Sequence, residues 1–435
     1  MRARRAVLGE LLRSARAREF SWLSASSQAS AVLSLLTLLI LVRNAPMAEV
    51  GQVVFAQAAA AIVFLICDPR FEDAVQRFFP LIATRSRDSA VVFYWRLARW
   101  DAALGLTVAT IALLAWAVGA LPESDVAKPA YLALAFVSTG AAGVVGTLHA
   151  AFAVTQRLTS LAQAMLALAV CNAVLMVCGA LAGGGYGYLI GNLAGSCLQV
   201  GVLLVLCRRI LPEPSSASPS RLPPGLAHFL ANTWTSSSLA VGYESGVLVL
   251  AGVGGGPSLA ALLRVAQAPG RLLLTLFSPL AAQAFPRLSL MAARGERQAL
   301  LRLMTRSTRL VLGVSALVVP LGALLMRPAL ELLYGEAYAA GTLAAILLLA
   351  AGALRAAAIW GKVLPLAVGR PTLRLLAVLG ESVVMLAGTA VITHVWTAAT
   401  TAATAIAALS LIVSCMLLGF WVAVSRWRDL LRAHP

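Results

Sequence analysis

Apolar residues in this chain come in long unbroken blocks rather than in alternation, and short polar, glycine or proline breaks separate them. The first block, FSWLSASSQASAVLSLLTLLILV (20–42), is longer than the roughly 18 residues at which an apolar run reads as a membrane helix. Comparable blocks recur to the C-terminus. The pattern predicts twelve spans: 20–42, 51–67, 97–120, 129–154, 158–181, 186–207, 229–251, 258–283, 308–327, 339–361, 372–394 and 398–424. GGGYGY (183–188) and GVGGGP (252–257) read as hairpin turns between spans, because neither lies in the strand-and-helix unit of a nucleotide site.

One break differs from the rest. RRILPEPSSASPSRLPPG (208–225) is polar, basic and rich in Pro and Ser, as linkers are. It divides the chain into a basic N-terminus (1–19), a six-helix bundle (20–207), a linker (208–228), a second six-helix bundle (229–424) and a C-terminal tail (425–435). The halves are weakly alike. A shift of 210 sets Ser26 and Ser27 on Ser236 and Ser237, Ala56-Gln57-Ala58 on Ala266-Gln267-Ala268, and Pro69 on Pro279. An even number of spans per half makes any such repeat parallel, with substrate expected between the halves. The fold class expected is all-α integral membrane, with about twelve spans in two six-helix bundles.

Composition agrees with the block pattern: the chain is 60% hydrophobic and 12% charged, against about 25% charged in soluble domains. A net charge of +17 raises nucleic acid as a partner, but the placement of the charge excludes it. With the N-terminus inside, 28 of the 34 Lys and Arg residues fall on inner segments. That is the positive-inside bias, which places both termini in the cytoplasm and the chain in the cytoplasmic (inner) membrane as a multi-pass protein. The basic start followed by an apolar run resembles a signal peptide, yet the run is long and has no clear cleavage site. An uncleaved first span is expected, preceded by a short amphipathic helix over residues 7–19. The six cysteines all sit in or at the ends of apolar spans without metal-ligand spacing and read as packing residues. His149 and His394 are lone histidines on apolar runs and read the same way.

The remaining charges carry the chemistry. A charge at the bilayer centre costs about 2.5–3.5 kcal/mol on insertion scales, so such residues face a cavity or a partner. The candidates are Asp101, Glu244, Arg264, Arg271, Arg355 and Glu381, with Arg43 at a span end. Arg264 and Arg271 flank Pro269 and Gly270 and lie about 10 Å apart on one helical face. Pro269 is expected to loosen the helix there. Two arrangements accommodate the arginines: a wet lumen in which guanidinium groups hold an anionic headgroup, or intramembrane ion pairs with Glu244 or Glu381. Arg355 is expected to line the same cavity from another span. Glu244 is a candidate for coupling a proton or sodium ion, or for neutralising an arginine; no other cofactor and no metal site is expected. Glu381 and Asp101 read as nearer the solvated inner ends of their spans. CDPRFEDAVQRFFP (67–80) reads as a solvated inner linker helix with local salt bridges, with a cytoplasmic gate formed by Asp68, Arg70 and Asp73 as the alternative.

LVRNAPMAEVGQVVFAQA (41–58), DPRFEDAVQRF (68–78), LLYGEAYAAG (332–341) in an outer loop and LAVGRPTLR (366–374) at an inner turn together resemble landmarks of a known family. It is the lipid-linked oligosaccharide flippases, the polysaccharide-biosynthesis branch of the multidrug/oligosaccharidyl-lipid/polysaccharide exporter superfamily. The resemblance implies a V-shaped pair of bundles around a central cavity, and alternating access that moves an undecaprenyl-pyrophosphate-linked glycan between leaflets. It implies an anionic-headgroup site to which Arg264 fits by position, with Arg271 and Arg355 added by inference. Membrane lipids, a polysaccharide polymerase and glycosyltransferases would be its partners. Competing expectations are an ion-coupled multidrug antiporter of the same superfamily, a structural subunit of an export complex, and a membrane glycan polymerase or ligase. The last generally needs a sizeable outer loop carrying catalytic groups, and no outer loop exceeds about fifteen residues.

Overall fold

The computed structural model describes residues 15–212, 222–293, 296–362, 364–367 and 371–426. Residues 7–14 of the expected amphipathic helix, 213–221 of the linker and 427–435 of the C-terminal tail lie outside the described residues. The helices are α1 (Ala15–Asn44), α2 (Met47–Cys67), α3 (Phe71–Ala83), α4 (Arg87–Ala117), α5 (Pro129–Ala142), α6 (Val145–Val154) and α7 (Leu158–Ile210). They continue as α8 (Leu226–Ala293), α9 (Arg297–Tyr334), α10 (Glu336–Ala339), α11 (Thr342–Ala357), α12 (Leu364–Ala367), α13 (Pro371–Val395) and α14 (Ala399–Arg426), with a 3-10 turn at Ile359–Lys362. No strand occurs among the described residues.

Among those residues, nine helices are long and apolar enough to cross a membrane, and Thr342–Ala357 is a shorter apolar one. Two of the nine are double. In α7 the helical dihedrals fail at Gly183 and Gly184, and in α8 they fail at Gly256. Gly184 (φ 56°) and Gly256 (φ 82°) occupy the left-handed half of the map, where a Cβ is disfavoured, so glycine supplies the reversals that GGGYGY and GVGGGP announce. Counting each doubled helix as two and adding Thr342–Ala357, the twelve expected spans all fall on helices.

The chain forms two compact units. The first comprises the residues up to Asn44 together with Ala59–Ser238; the second comprises Ala45–Ala58 and the residues from Leu239 onward. In the first unit α1 packs along α7, α4 along α5, and α3 lies against both α4 and α6. Segment 67–80 departs from its reading as a solvated linker. Phe71, Ala74, Val75, Phe78 and Phe79 follow the i, i+3, i+4, i+7 spacing of one helical face and are buried in the core with Phe93, Tyr94 and Leu148. Gln76 and Arg77 stay exposed, with Arg77 4.6 Å from the Phe229 ring centroid, while the Glu72 side chain is mostly covered.

In the second unit α11 packs against α9 and α14, and α13 packs against α14. The Gly-Glu-Ala-Tyr turn forms α10, which buries Tyr338 beside Tyr334 at 6.2 Å between ring centroids. Burial pushes the Tyr338 phenol well above its usual range.

Candidate functional site

The second unit places four of the candidate charges in one cavity system. Tyr243 and Glu244 come from the first half of α8, and Arg271 from its second half beyond the Gly256 reversal. Arg355 occupies the last turn of α11, where the negative end of the helix dipole favours a cation. A cavity of about 80 Å³ is lined by Tyr243, Glu244, Gln267, Arg271 and Arg355 among others. A second, of about 290 Å³, shares Tyr243, Glu244, Leu274 and Arg355 with the first and adds Arg374, Glu381 and Trp421.

Close helix contact makes this assembly. Gly270 meets α11 so tightly that a Cβ there would lie 2.5 Å from the Leu348 carbonyl oxygen. A Cβ on Gly352 would lie 2.7 Å from the Gly270 oxygen. Helical dihedrals run through Pro269, so the Pro269-Gly270 pair does not break α8. Its glycine instead lets two backbones touch, which brings Arg271 and Arg355 to the same cavity.

Arg355 is the most heavily engaged residue. Its Nη2 lies 2.8 Å from Glu381 Oε1 on α13, its Nε donates to Ser414 Oγ on α14 at 3.0 Å, and its Nη1 donates to the Tyr243 hydroxyl on α8. The Arg355 and Glu381 side chains are only 16% and 10% exposed, so the pair is largely withdrawn from solvent. A planar guanidinium with fixed donors suits such a three-helix junction better than an ammonium would. Arg271 behaves differently. Its Nη2 lies 3.3 Å from Glu244 Oε2, and the two side chains are 40% and 50% exposed. Gln267 also lines the smaller cavity, and its buried carbonyl oxygen accepts no hydrogen bond among the described residues.

Each of Arg271 and Arg355 therefore has an acidic mate, and each pair lines open volume. Arg264 is half-buried on α8 and lies outside the lining of these two cavities. Glu381 is not at a solvated span end; Arg355 draws it inward. Asp101 is likewise buried, 2% exposed in the core of the first unit. Arg374, counted in the sequence only as an inner-loop charge, lines the larger cavity. Opposite charges on different spans are visible in a sequence, whereas their pairing and the approach of Arg374 depend on packing.

Of the gate candidates, Arg70 is the centre. It caps α3 in a left-handed conformation (φ 62°, ψ 53°), uncommon for a residue with a Cβ. Its backbone N–H donates to Asp68 Oδ1 at 2.8 Å, and its Nε lies 3.0 Å from Glu72 Oε1 and 3.6 Å from Asp73 Oδ2. Asp68, Arg70 and Asp73 are thus joined, with Glu72 as a fourth member.

No family model and no curated relative matches the chain. Solved structures do. An inward-facing multidrug resistance MATE family transporter of the MOP superfamily aligns over 93% of this chain and 96% of its own, with a TM-score of 0.63 and 14% identity. A MATE protein in complex with MaL6 aligns over 98% and 99%, with a TM-score of 0.62 and 12% identity. A MOP superfamily transporter from Pyrococcus furiosus, described as having a binding pocket of reversed polarity, aligns over 96% and 98%, with a TM-score of 0.56 and 13% identity. The chain therefore has the all-helical membrane fold of these proteins.

Proposed function

We propose that this chain is a multi-pass membrane transporter that works by alternating access and engages an amphipathic substrate at the cavities of its second unit. The observation that carries the reading is the pair of ion pairs, Arg271–Glu244 and Arg355–Glu381, at the walls of one cavity system. Charges kept at such depth are costly unless they have a partner or a task. The chain is assigned to a cytoplasmic membrane with both termini inside.

The presence of two carboxylates on these walls favours an ion-coupled exporter of drug-like molecules over an anion carrier. Three guanidinium groups, Arg271, Arg355 and Arg374, stand against two carboxylates, Glu244 and Glu381, so the walls are mixed in sign and not the wholly cationic surface that a pyrophosphate would favour. Glu244, half-exposed at the cavity, is the group assigned to bind a coupling proton or sodium ion. The multidrug resistance role named for one similar fold supports this reading.

A second reading, the lipid-linked oligosaccharide flippase, is favoured by the state of Arg271. Its 3.3 Å contact with Glu244 is long for a charge-assisted bond and 40% of its side chain is exposed, so a phosphate oxygen could displace the carboxylate. Arg374 on the larger cavity would add a second donor. Under that reading the substrate is a polyprenyl-pyrophosphate glycan, and a polymerase and glycosyltransferases are the expected partners.

Proteoliposomes separate the two. Under the first reading a proton or sodium gradient drives uptake of a lipophilic fluorescent cation, and Glu244→Gln abolishes it. Under the second, that uptake is absent while a labelled polyprenyl-pyrophosphate glycan changes leaflet. Neither activity would reject the transporter assignment.

A further inference from the structure

Asp101 lies within α4 of the first unit, far along the chain from the cavities above, and has no role in them. The residue is 2% exposed. Oδ2 accepts a hydrogen bond from the Thr147 hydroxyl on α6 at 2.6 Å, and Oδ1 is buried with no hydrogen-bond partner among the described residues. The residue before Thr147 is Gly146, and a Cβ there would lie 3.3 Å from the Glu72 carboxyl carbon. The start of α6 thus has the Glu72 carboxyl against it at Gly146 and the Asp101 carboxyl against it at Thr147.

The charged groups around Asp101 come from four directions. On α4 itself, Arg96 and Arg99 point roughly 140° and 160° around the helix from Asp101. Helix α5 contributes no charged residue. Helix α6 contributes only His149, which points roughly 160° away from Thr147. Helix α3 and its approach contribute Asp68, Arg70, Glu72, Asp73 and Arg77. Arg70 is engaged by Glu72 and Asp73, and Arg77 lies over the Phe78 and Phe229 rings. The groups that bear on Asp101 are then Asp68 and Glu72, both acidic.

A carboxylate in that position has one hydroxyl donor, no cation and two like charges nearby. A buried charge without a counter-ion costs several kcal/mol, and the carboxyl sheds that cost by taking up a proton. We infer that Asp101 is a proton-binding site of the first unit, with water as the proton source, Oδ1 as the atom that gains it and Oδ2 keeping the Thr147 hydrogen bond. Release of the proton returns the negative charge and sets Asp101 against Asp68 and Glu72 across the start of α6. Proton occupancy is thereby linked to the Arg70-centred segment that caps α3. The site stands independently of which substrate the second unit carries.

Infrared difference spectroscopy on the full chain in lipid nanodiscs tests it, with acid and base steps in sodium-free buffer. The expected result is a protonated-carboxyl carbonyl band, titrating across the pH range, that Asp101→Asn removes and Thr147→Val shifts. Asparagine is isosteric with aspartate. Should that variant not fold, the Thr147→Val shift alone decides the matter. Identical titrating bands in wild type and both variants would overturn the site. A band that disappears on adding sodium chloride at constant pH would overturn it too, assigning Asp101 to a sodium ion instead.

Discussion

Arg355 and Glu381 meet at 2.8 Å across two helices, α11 and α13, with both side chains nearly withdrawn from solvent. The pair is the polar anchor of the second unit, because the same guanidinium also holds Tyr243 on α8 and Ser414 on α14. Removing one member of a buried pair leaves an uncompensated charge, at a cost of about 3–5 kcal/mol, whereas replacing both with apolar residues can be neutral. Arg355→Met and Glu381→Leu should each lower the thermal midpoint of the detergent-purified protein sharply. The double variant should recover most of the loss. A double variant no better than the worse single one would contradict the pairing.

The contact of Gly270 with α11 sets where Arg271 and Arg355 meet. Gly270→Ala puts a methyl against backbone rather than against a yielding side chain, and overpacking of this kind costs about 1–3 kcal/mol. A lower thermal midpoint is expected, together with loss of transport as the two helices separate. Unchanged values for both would show that α8 and α11 are not in backbone contact there.

Tyr338 offers the opposite sign. Its hydroxyl is buried without a hydrogen-bond partner among the described residues. An unsatisfied buried polar group costs about 1–3 kcal/mol, so Tyr338→Phe should hold or raise the thermal midpoint. A clear fall would reveal a hydrogen bond to that oxygen.

The sequence carries much of this, for reasons that differ by feature. Span positions follow from block length, and the two reversals follow from glycines at Gly183-Gly184 and Gly256, because local backbone preference decides them. The buried face of α3 is equally local: its 3.6-residue period is visible in Phe71, Val75 and Phe78, but three acids and two arginines in CDPRFEDAVQRFFP masked it. The charge pairs divide. That Arg355 and Glu381 need partners follows from the cost of bare charge in hydrocarbon. That they choose each other across 26 residues, and that Gly270 meets Gly352 across 82, depends on packing between helices.

The central claim is that the half-exposed Arg271–Glu244 pair works on substrate or coupling ion rather than holding the fold together. Exposed pairs contribute only about 0–1 kcal/mol. The most direct measurement is transport by Arg271→Gln in proteoliposomes, beside its thermal midpoint, using whichever of the two substrates the wild type moves. A tenfold or greater loss of transport with the midpoint unchanged is the expected result. Wild-type transport, or a loss that only tracks unfolding, would contradict it.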